Sequence, residues 1–542
     1  MPFSTLVANH MWLAANAAGE RRFRAALADP EGTQRNLLRD LLSRNAGTAF
    51  GRTHGFSSIR SAEEFQARVP LATWEDVAPW VSRIEAGEER VLTREPVRAL
   101  ELSSGSSAAA KRVPYTAELQ REFRRAVAPW IADLYGRRPE LLEGSAYWSI
   151  TPPALEEARA RPSAVRVGFE EDSEYLGGFW KRLADATLAV PGAVRKAHDL
   201  EELRYATLLF LLRRADLALI SVWHPSFLTL LLGALPGIWD SVLRDVERGS
   251  VLLGRSLPPL PERAAELRQA GPEAPTRLWP RMRLISCWGD AHAALHVPEV
   301  QRLFPRAEIQ PKGLIATEAF VTLPYGGRHP LAIRSHFFEL LPEGGDGRPR
   351  FAYELEAGDI ASVVVTTGGG LYRYRLEDRV AVDGFVSGTP SLRFLGKEGH
   401  VSDLRGEKLH ESFVAGALAR VFGTLRISPR FAMLAPGDGG EPPGYTLYLE
   451  TAEPVHADEL ARTLETELAA NPHYRLCVAL GQLAPAAAFF IAGDGVSLYL
   501  ERCRGRGQRL GAVKPLALSP DSGWSGVFVR RRIDNIRSDG PT

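Results

Sequence analysis

A stretch with almost no bulky side chain, LSSGSSAAAKRVP at residues 102–114, separates an apolar run ending at Leu100 from a helical pattern starting near Thr116. Small residues at a strand-to-helix junction let successive backbone N–H groups and hydroxyls come against phosphate oxygens. Ser103, Ser104, Gly105, Ser106 and Ser107 are therefore candidate phosphate-binding residues, with Lys111 adding a positive charge. The same letters also describe a solvated Ser/Ala loop, and a short motif alone does not separate the two. A Walker loop is excluded, because GxxxxGK followed by Ser or Thr does not occur in the chain.

A loop of this kind belongs to an α/β chain, and the remaining pattern agrees. AYWSITPP (146–153), LALISVWHPSFL (217–228) and RLISCWGDA (283–291) are apolar runs closed by turn residues, which suits buried strands of a mixed sheet. Trp148, Trp223 and Trp288 stand near the ends of these runs, where ligands bind in open α/β sheets, although satisfied structural anchors are the commoner fate of such rings. Helical spacing marks residues 1 to about 90, with Leu37, Leu38, Leu41 and Leu42 on one face, and residues 200–214. Beyond the Ser-rich stretch, Leu119, Phe123, Val127, Trp130, Ile131 and Leu134 line a helix that Pro129 is expected to kink or break. His54, in a Gly-rich turn, reads as a loop or packing histidine.

FLGKEGHVSDLRGEKLHE (394–411) sets Gly396, Gly399 and Gly406 among charged residues, the composition of a hinge. The remainder of the chain reads as a small α+β domain, with strand signals at 445–449 and 496–500, a helix near 458–470 and a turn at NPHY (471–474). The expected architecture is thus α/β: a large N-terminal domain (1–395), a hinge (396–406) and a small, mobile C-terminal domain (407–542).

Lys plus Arg total 66 against 65 for Asp plus Glu, which gives no global field for nucleic acid or anionic membranes. Cys287, Cys477 and Cys503 are widely spaced, so neither a disulfide framework nor a zinc site is implied and a reducing compartment is expected. Arg21 is the first basic side chain, which leaves no basic n-region for a secretory signal. The most apolar segment, 217–239, contains His224, Pro225 and Pro236 and suits a buried strand and helix better than a membrane span. The expectation is a cytoplasmic monomer without nucleic-acid or membrane partners.

The order hydroxyl, hydroxyl, Gly, hydroxyl, hydroxyl, then Lys and Pro is similar to the phosphate loop of the acyl-adenylate-forming superfamily. It more closely resembles the SSGTS-type loop of the auxin-responsive Gretchen Hagen family of acyl-acid-amido synthetases. The likeness runs through the chain in one order. FGRTHGF (50–56) with IRSAEEFQARVPLATWED (59–76) resembles the N-terminal segment of bacterial members. GLIATEAF (313–320) resembles the motif beside the nucleotide, HFFELLPEG (336–344) the YFEF segment, and LYRYRLEDRV (371–380) the GLYRYRxGD pattern. The resemblance implies ATP and Mg²⁺, with Glu318 as the metal's carboxylate and Ala316 and Thr317 beside the nucleotide. It gives Asp378 the ribose hydroxyls, places Lys397 where the family has a nucleotide-contacting Arg, and matches Lys408 to a family lysine. Lys514, in GRGQRLGAVKPLALSP (505–520), matches the lysine that reaches the acyl-adenylate site. Helices near Phe123 and Trp130 help form the acid pocket in plant members, while core packing is the plainer reading of both. The departures are Ala108–Ala110 in place of a second Gly, Glu377 in place of Gly, and Lys397 in place of Arg. The implied reaction is adenylation of a carboxylic acid followed by transfer to an amino acid amine. An acyl-CoA ligase, which shares the first half-reaction, and a degenerate nucleotide-binding regulatory protein stay open as alternatives.

Overall fold

The computed structural model describes residues 3–103, 111–149, 163–167, 186–344, 347–398, 401–506 and 515–530. Two compact units divide the chain: Met1–Asp290 with Glu299–Leu395, and Ala291–Pro298 with Gly396–Thr542.

The first unit begins with long helices. Helix α1 (Phe3–Ala28) packs along α2 (Ala117–Arg137), and an added Cβ at Gly19 would lie 2.6 Å from the Ala128 Cβ, so glycine is what allows this approach. Helix α2 starts at Thr116, whose hydroxyl accepts from Leu119 N–H, and it continues through Pro129. The expected break does not occur: Pro129 is buried on the packed face, and tertiary contacts outweigh one missing backbone bond.

The Ser-rich stretch joins two strands, β1 (Ala99–Ser103) and β2 (Lys111–Tyr115), paired antiparallel from Ala99 opposite Tyr115 to Ser103 opposite Lys111. The expected strand-to-helix junction is therefore a hairpin, and the helix starts only after the return strand. Alternation hid that strand because Arg112, which would be polar and outward in a half-buried strand, is buried and bonded to Glu85 at 2.9 Å.

The apolar runs form a four-stranded sheet in the order β3 (Ser145–Trp148), β4 (Leu217–Ser221), β5 (Leu284–Cys287), β6 (Glu308–Pro311). All its pairings are parallel, so the sheet is not mixed. Every residue of β4 and β5 is buried, as expected of parallel strands covered on both faces. Residues 150–153, also expected in this region, lie outside the described residues. A second sheet has the order β8 (Arg350–Phe351), β7 (Phe337–Pro342), β9 (Ile360–Thr366), β10 (Tyr374–Val386), β11 (Thr389–Lys397). Its apolar face joins α1, α2 and the N-terminal helices in one core, and each fully buried side chain such as Phe65 or Phe337 contributes about 2–3 kcal/mol. His54 lies in this packing, 4.2 Å from the Phe50 ring, with burial lowering its pKa.

The second unit packs the helix Glu411–Leu425 on a three-stranded sheet, Phe431–Pro436, Gly444–Glu450 and Ala484–Phe490, around Leu418, Leu447, Leu460 and Leu464. The expected strand at 496–500 is instead part of the helix Gly495–Gly505. Asp494 caps it through Ser497 N–H, and Val496, Tyr499 and Cys503 are buried at helical spacing. NPHY likewise starts a helix, Pro472–Ala479, capped by Asn471. Among the described residues no single helix is long and apolar enough to cross a membrane.

Candidate active site

Gly313 begins the motif turn. A Cβ there would meet the Thr322 carbonyl oxygen at 2.5 Å, so the chain passes this point only as glycine. Ile315 then bridges Phe320, and the Ala316 N–H donates to the Ala319 carbonyl, so Thr317 and Glu318 form the tip of a tight turn. Glu318 is only 8% exposed, yet among the described residues no donor or cation is bonded to it. A buried carboxylate in that state suits a hard cation that takes few protein ligands.

The turn is held from behind by a buried pair. His336 and Glu122 are 0% and 1% exposed, and His336 Nε2 accepts from Phe320 N–H at 3.0 Å. Nδ1 must then carry the ring proton, which it donates to Glu122 at 3.0 Å. Glu122 also accepts from Gly368 N–H at 2.9 Å, and Thr116 donates to the Gly368 carbonyl. Helix α2, the motif turn and the Gly-rich corner before β10 are thereby fixed to one another.

In Leu371–Leu376, Tyr372 and Tyr374 alternate with Arg373 and Arg375, the pattern of a strand with two distinct faces. The segment departs from that: Arg373 takes φ +47°, β10 starts at Tyr374, and Tyr372, Arg373 and Tyr374 are all buried. Tyr372 donates to the Leu92 carbonyl and stacks on Phe50, while Arg373 is neutralised by Glu339 inside the core. Farther along, Ser362 faces Arg379 and Val364 faces Arg375, so three residues of β10 oppose one of β9. Glu377 sits in this bulge at φ +61°, the backbone that glycine favours, and Asp378 comes next, 2% exposed. Glu377→Gly is expected to raise the denaturation midpoint of the first unit by the equivalent of about 1 kcal/mol, measured by urea unfolding followed through tryptophan emission; an unchanged midpoint would deny strain at this position.

These segments meet at the Tyr374 hydroxyl. Lys111 Nζ donates to it at 3.3 Å from the foot of the hairpin loop. Burial, and then the carboxylates of Glu318, Glu377, Glu75 and Asp378, push its pKa well above the ordinary value. The structure joins the foot of the loop to Tyr374 through Lys111, the charges of Glu318 and Asp378 act on that hydroxyl, and Ala316 and Thr317 share the tight turn of Glu318. Ser103 closes the hairpin opposite Lys111. Ser104, Gly105, Ser106, Ser107 and Lys514 lie outside the described residues. Lys397 and Lys408 belong to the second unit, where buried Glu407 accepts from Leu404 N–H, Arg405 N–H and Tyr445 and so shapes the turn that holds Lys408, exposed, at φ +44°. Sequence reasoning missed Tyr374 as the meeting point and the Glu122–His336 pair.

The architecture has a close counterpart among solved structures. It matches a solved structure described as AtGH3.15 acyl acid amido synthetase in complex with 2,4-DB, with a TM-score of 0.82 over 93% of this chain and 94% of that one at 19% identity. The pattern of the GH3 family N-terminal domain matches residues 19–309, and that of the GH3 family central domain matches residues 329–397. The chain belongs to the GH3 family. Its relatives include the indole-3-acetic acid-amido synthetase GH3.8 of Oryza sativa subsp. indica, 24% identical over 84% of this chain and 82% of that protein. The probable indole-3-acetic acid-amido synthetase GH3.12 of Oryza sativa subsp. japonica is also 24% identical, over 72% of each.

Proposed function

We propose that this protein is an ATP-dependent acyl-acid-amido synthetase. The observation that carries the reading is the hydrogen bond from Lys111, at the foot of the Ser-rich loop, to Tyr374, whose hydroxyl also lies within reach of the charges of Glu318 and Asp378, far apart in sequence. In the first step a carboxylate oxygen of the acid attacks the α-phosphorus of ATP and pyrophosphate leaves. Ser103 to Ser107 hold phosphate oxygens, Asp378 the ribose hydroxyls, Ala316 and Thr317 the nucleotide, and Lys514 offsets the charge between carboxylate and phosphate. Glu318 would hold Mg²⁺, which when bound would supply neutralising charge on the phosphates. In the second step an amino acid amine attacks the acyl carbonyl and AMP leaves with the acid's oxygen. The names of the relatives support an amine acceptor over CoA. The bacterial character is part of the proposal and rests on FGRTHGF at 50–56, the two relatives named above being plant proteins. A reducing, cytoplasmic setting is likewise proposed, supported by three cysteines that are all free and buried.

The test is acid-dependent pyrophosphate release by the purified protein with ATP and MgCl₂, followed by mass analysis of products formed with amino acids or with CoA. Release should occur, the product should be an N-acyl amino acid, and Lys514→Ala should slow release by about 100-fold. ATP binding without release across a broad acid panel, or a CoA thioester as product, would overturn the reading.

A further inference from the structure

At the carboxyl edge of the parallel sheet lies a buried ammonium that the reaction above does not use. Lys312 comes directly after β6, is 6% exposed, and donates from Nζ to the Ser221 hydroxyl at the end of β4 at 2.5 Å. The Trp130 and Trp223 rings lie 5.5 and 5.3 Å from Nζ. Trp148 stacks on Trp130, and Trp288 packs on Trp223, so two indoles flank the cation and two more extend the cluster. Among the described residues no carboxylate is paired with Lys312. An uncompensated buried charge is costly, and two ring faces with one hydroxyl recover only part of that cost. Trp148, Trp223 and Trp288 are only half-buried, so the cage keeps an accessible side.

Helix α2 gives the scale. Glu122, through His336, fixes the turn that carries Glu318, and Trp130 is eight residues farther along the same helix. At 1.5 Å per residue that is roughly 12 Å, the span of a flat aromatic acid extended through two or three bonds.

Resting on the acyl-acid reading above, we infer that Lys312 is a specificity-determining residue that binds a second, distal carboxylate on an aromatic acid substrate, whose other carboxylate is the one adenylated. The indoles flank the ring of the acid, and Lys312 with Ser221 closes on its far end. An acid lacking the distal anion leaves the ammonium unanswered, which is the stronger basis for discrimination.

Burial lowers the Lys312 pKa to about 8. Among the described residues, Cys287 on β5, whose thiol burial raises to about 11, acts on Lys312, while His224 lies against Trp288 and Asp290 follows Trp288 by two residues. Lys312 is charged below pH 8 and loses its charge as pH rises through that value, while Cys287 is still neutral.

The experiment compares cinnamate, 4-methylcinnamate and 4-carboxycinnamate by acid-dependent pyrophosphate release and, separately, by quenching of tryptophan emission. The ratio of kcat/KM for 4-carboxycinnamate over cinnamate is expected to be at least 10 at pH 7, with 4-methylcinnamate resembling cinnamate. It should fall toward 1 above pH 9, collapse in Lys312→Met and persist in Lys312→Arg. A wild-type ratio near 1, or an equal ratio in Lys312→Met, would overturn the inference. If Lys312→Met does not fold, the wild-type pH profile decides. If neither acid releases pyrophosphate, the adenylation reading loses support, and the emission titrations still decide for or against Lys312 by the same ratio of affinities.

Discussion

Glu318→Gln is expected to lower acid-dependent pyrophosphate release by about 10²- to 10³-fold while leaving the thermal midpoint unchanged or slightly higher. The substitution keeps volume and one acceptor oxygen and removes only the charge. In the protein that charge acts on Tyr374 together with those of Glu377, Glu75 and Asp378, and among the described residues no protein cation is paired with it. Without ligand, removing one of several like charges relieves repulsion, so the fold gains or is indifferent. On the function proposed above, the same removal would take away the carboxylate that holds the metal. The MgCl₂ concentration giving half-maximal rate should therefore rise in the variant. A Glu318→Gln protein within threefold of wild type at all MgCl₂ concentrations would make the carboxylate a structural feature only.

Much of this site was legible because its chemistry sits in short, ordered motifs. Glu318 and Asp378 stand out as carboxylates in a family-like series, and the charges of both act on the Tyr374 hydroxyl. What escaped were groups whose roles depend on contacts with no local signature. Glu122 and His336 are 214 positions apart, and nothing in either neighbourhood distinguishes them from a helix-face acid and a strand histidine. Lys312 at the margin of the motif looks like any surface lysine until a helix and a strand end place Trp130 and Trp223 against it. Glu377 shows the reverse: in place of glycine it cast doubt on the turn, yet the chain adopts φ +61° there with the larger residue.

The fold was legible wherever burial is continuous and obscured wherever it is mixed. The runs in β4 and β5 announced themselves, being covered on both faces. The return strand of the hairpin did not, because Lys111 and Arg112 interrupt the apolar pattern and are satisfied by Tyr374 and Glu85 at a distance. The helix Gly495–Gly505 read as a strand because VSLYL alternates, although its cap and its buried face keep the helical period.

Arg373→Met is expected to destabilise the first unit by about 3–5 kcal/mol, a larger effect on stability than that of either Glu318→Gln or Glu377→Gly. Arg373 and Glu339 have side chains only 5% and 1% exposed, joined by Nε at 3.0 Å and Nη2 at 2.9 Å. Nη1 also donates to the Gln66 and Val69 carbonyls, and Gln66 Nε2 donates to Glu339. Methionine fills the space but leaves Glu339 charged and buried with two carbonyls unanswered, and those costs, not the lost attraction, dominate. The double variant Arg373→Met with Glu339→Met should thus be more stable than the single one, in urea unfolding followed by tryptophan emission. Activity should fall with the single change even where the protein remains folded. Arg373 stands between the Gly-rich corner and Tyr374, and its backbone carbonyl accepts from Ala72 N–H while Arg375 N–H donates to the Ala72 carbonyl. That clamp fixes where β10 begins, and the bulge that carries Asp378 is counted from that point. A single variant as stable as wild type would mean that Glu339 finds another partner or water, and the position of Tyr374 would then owe nothing to this pair.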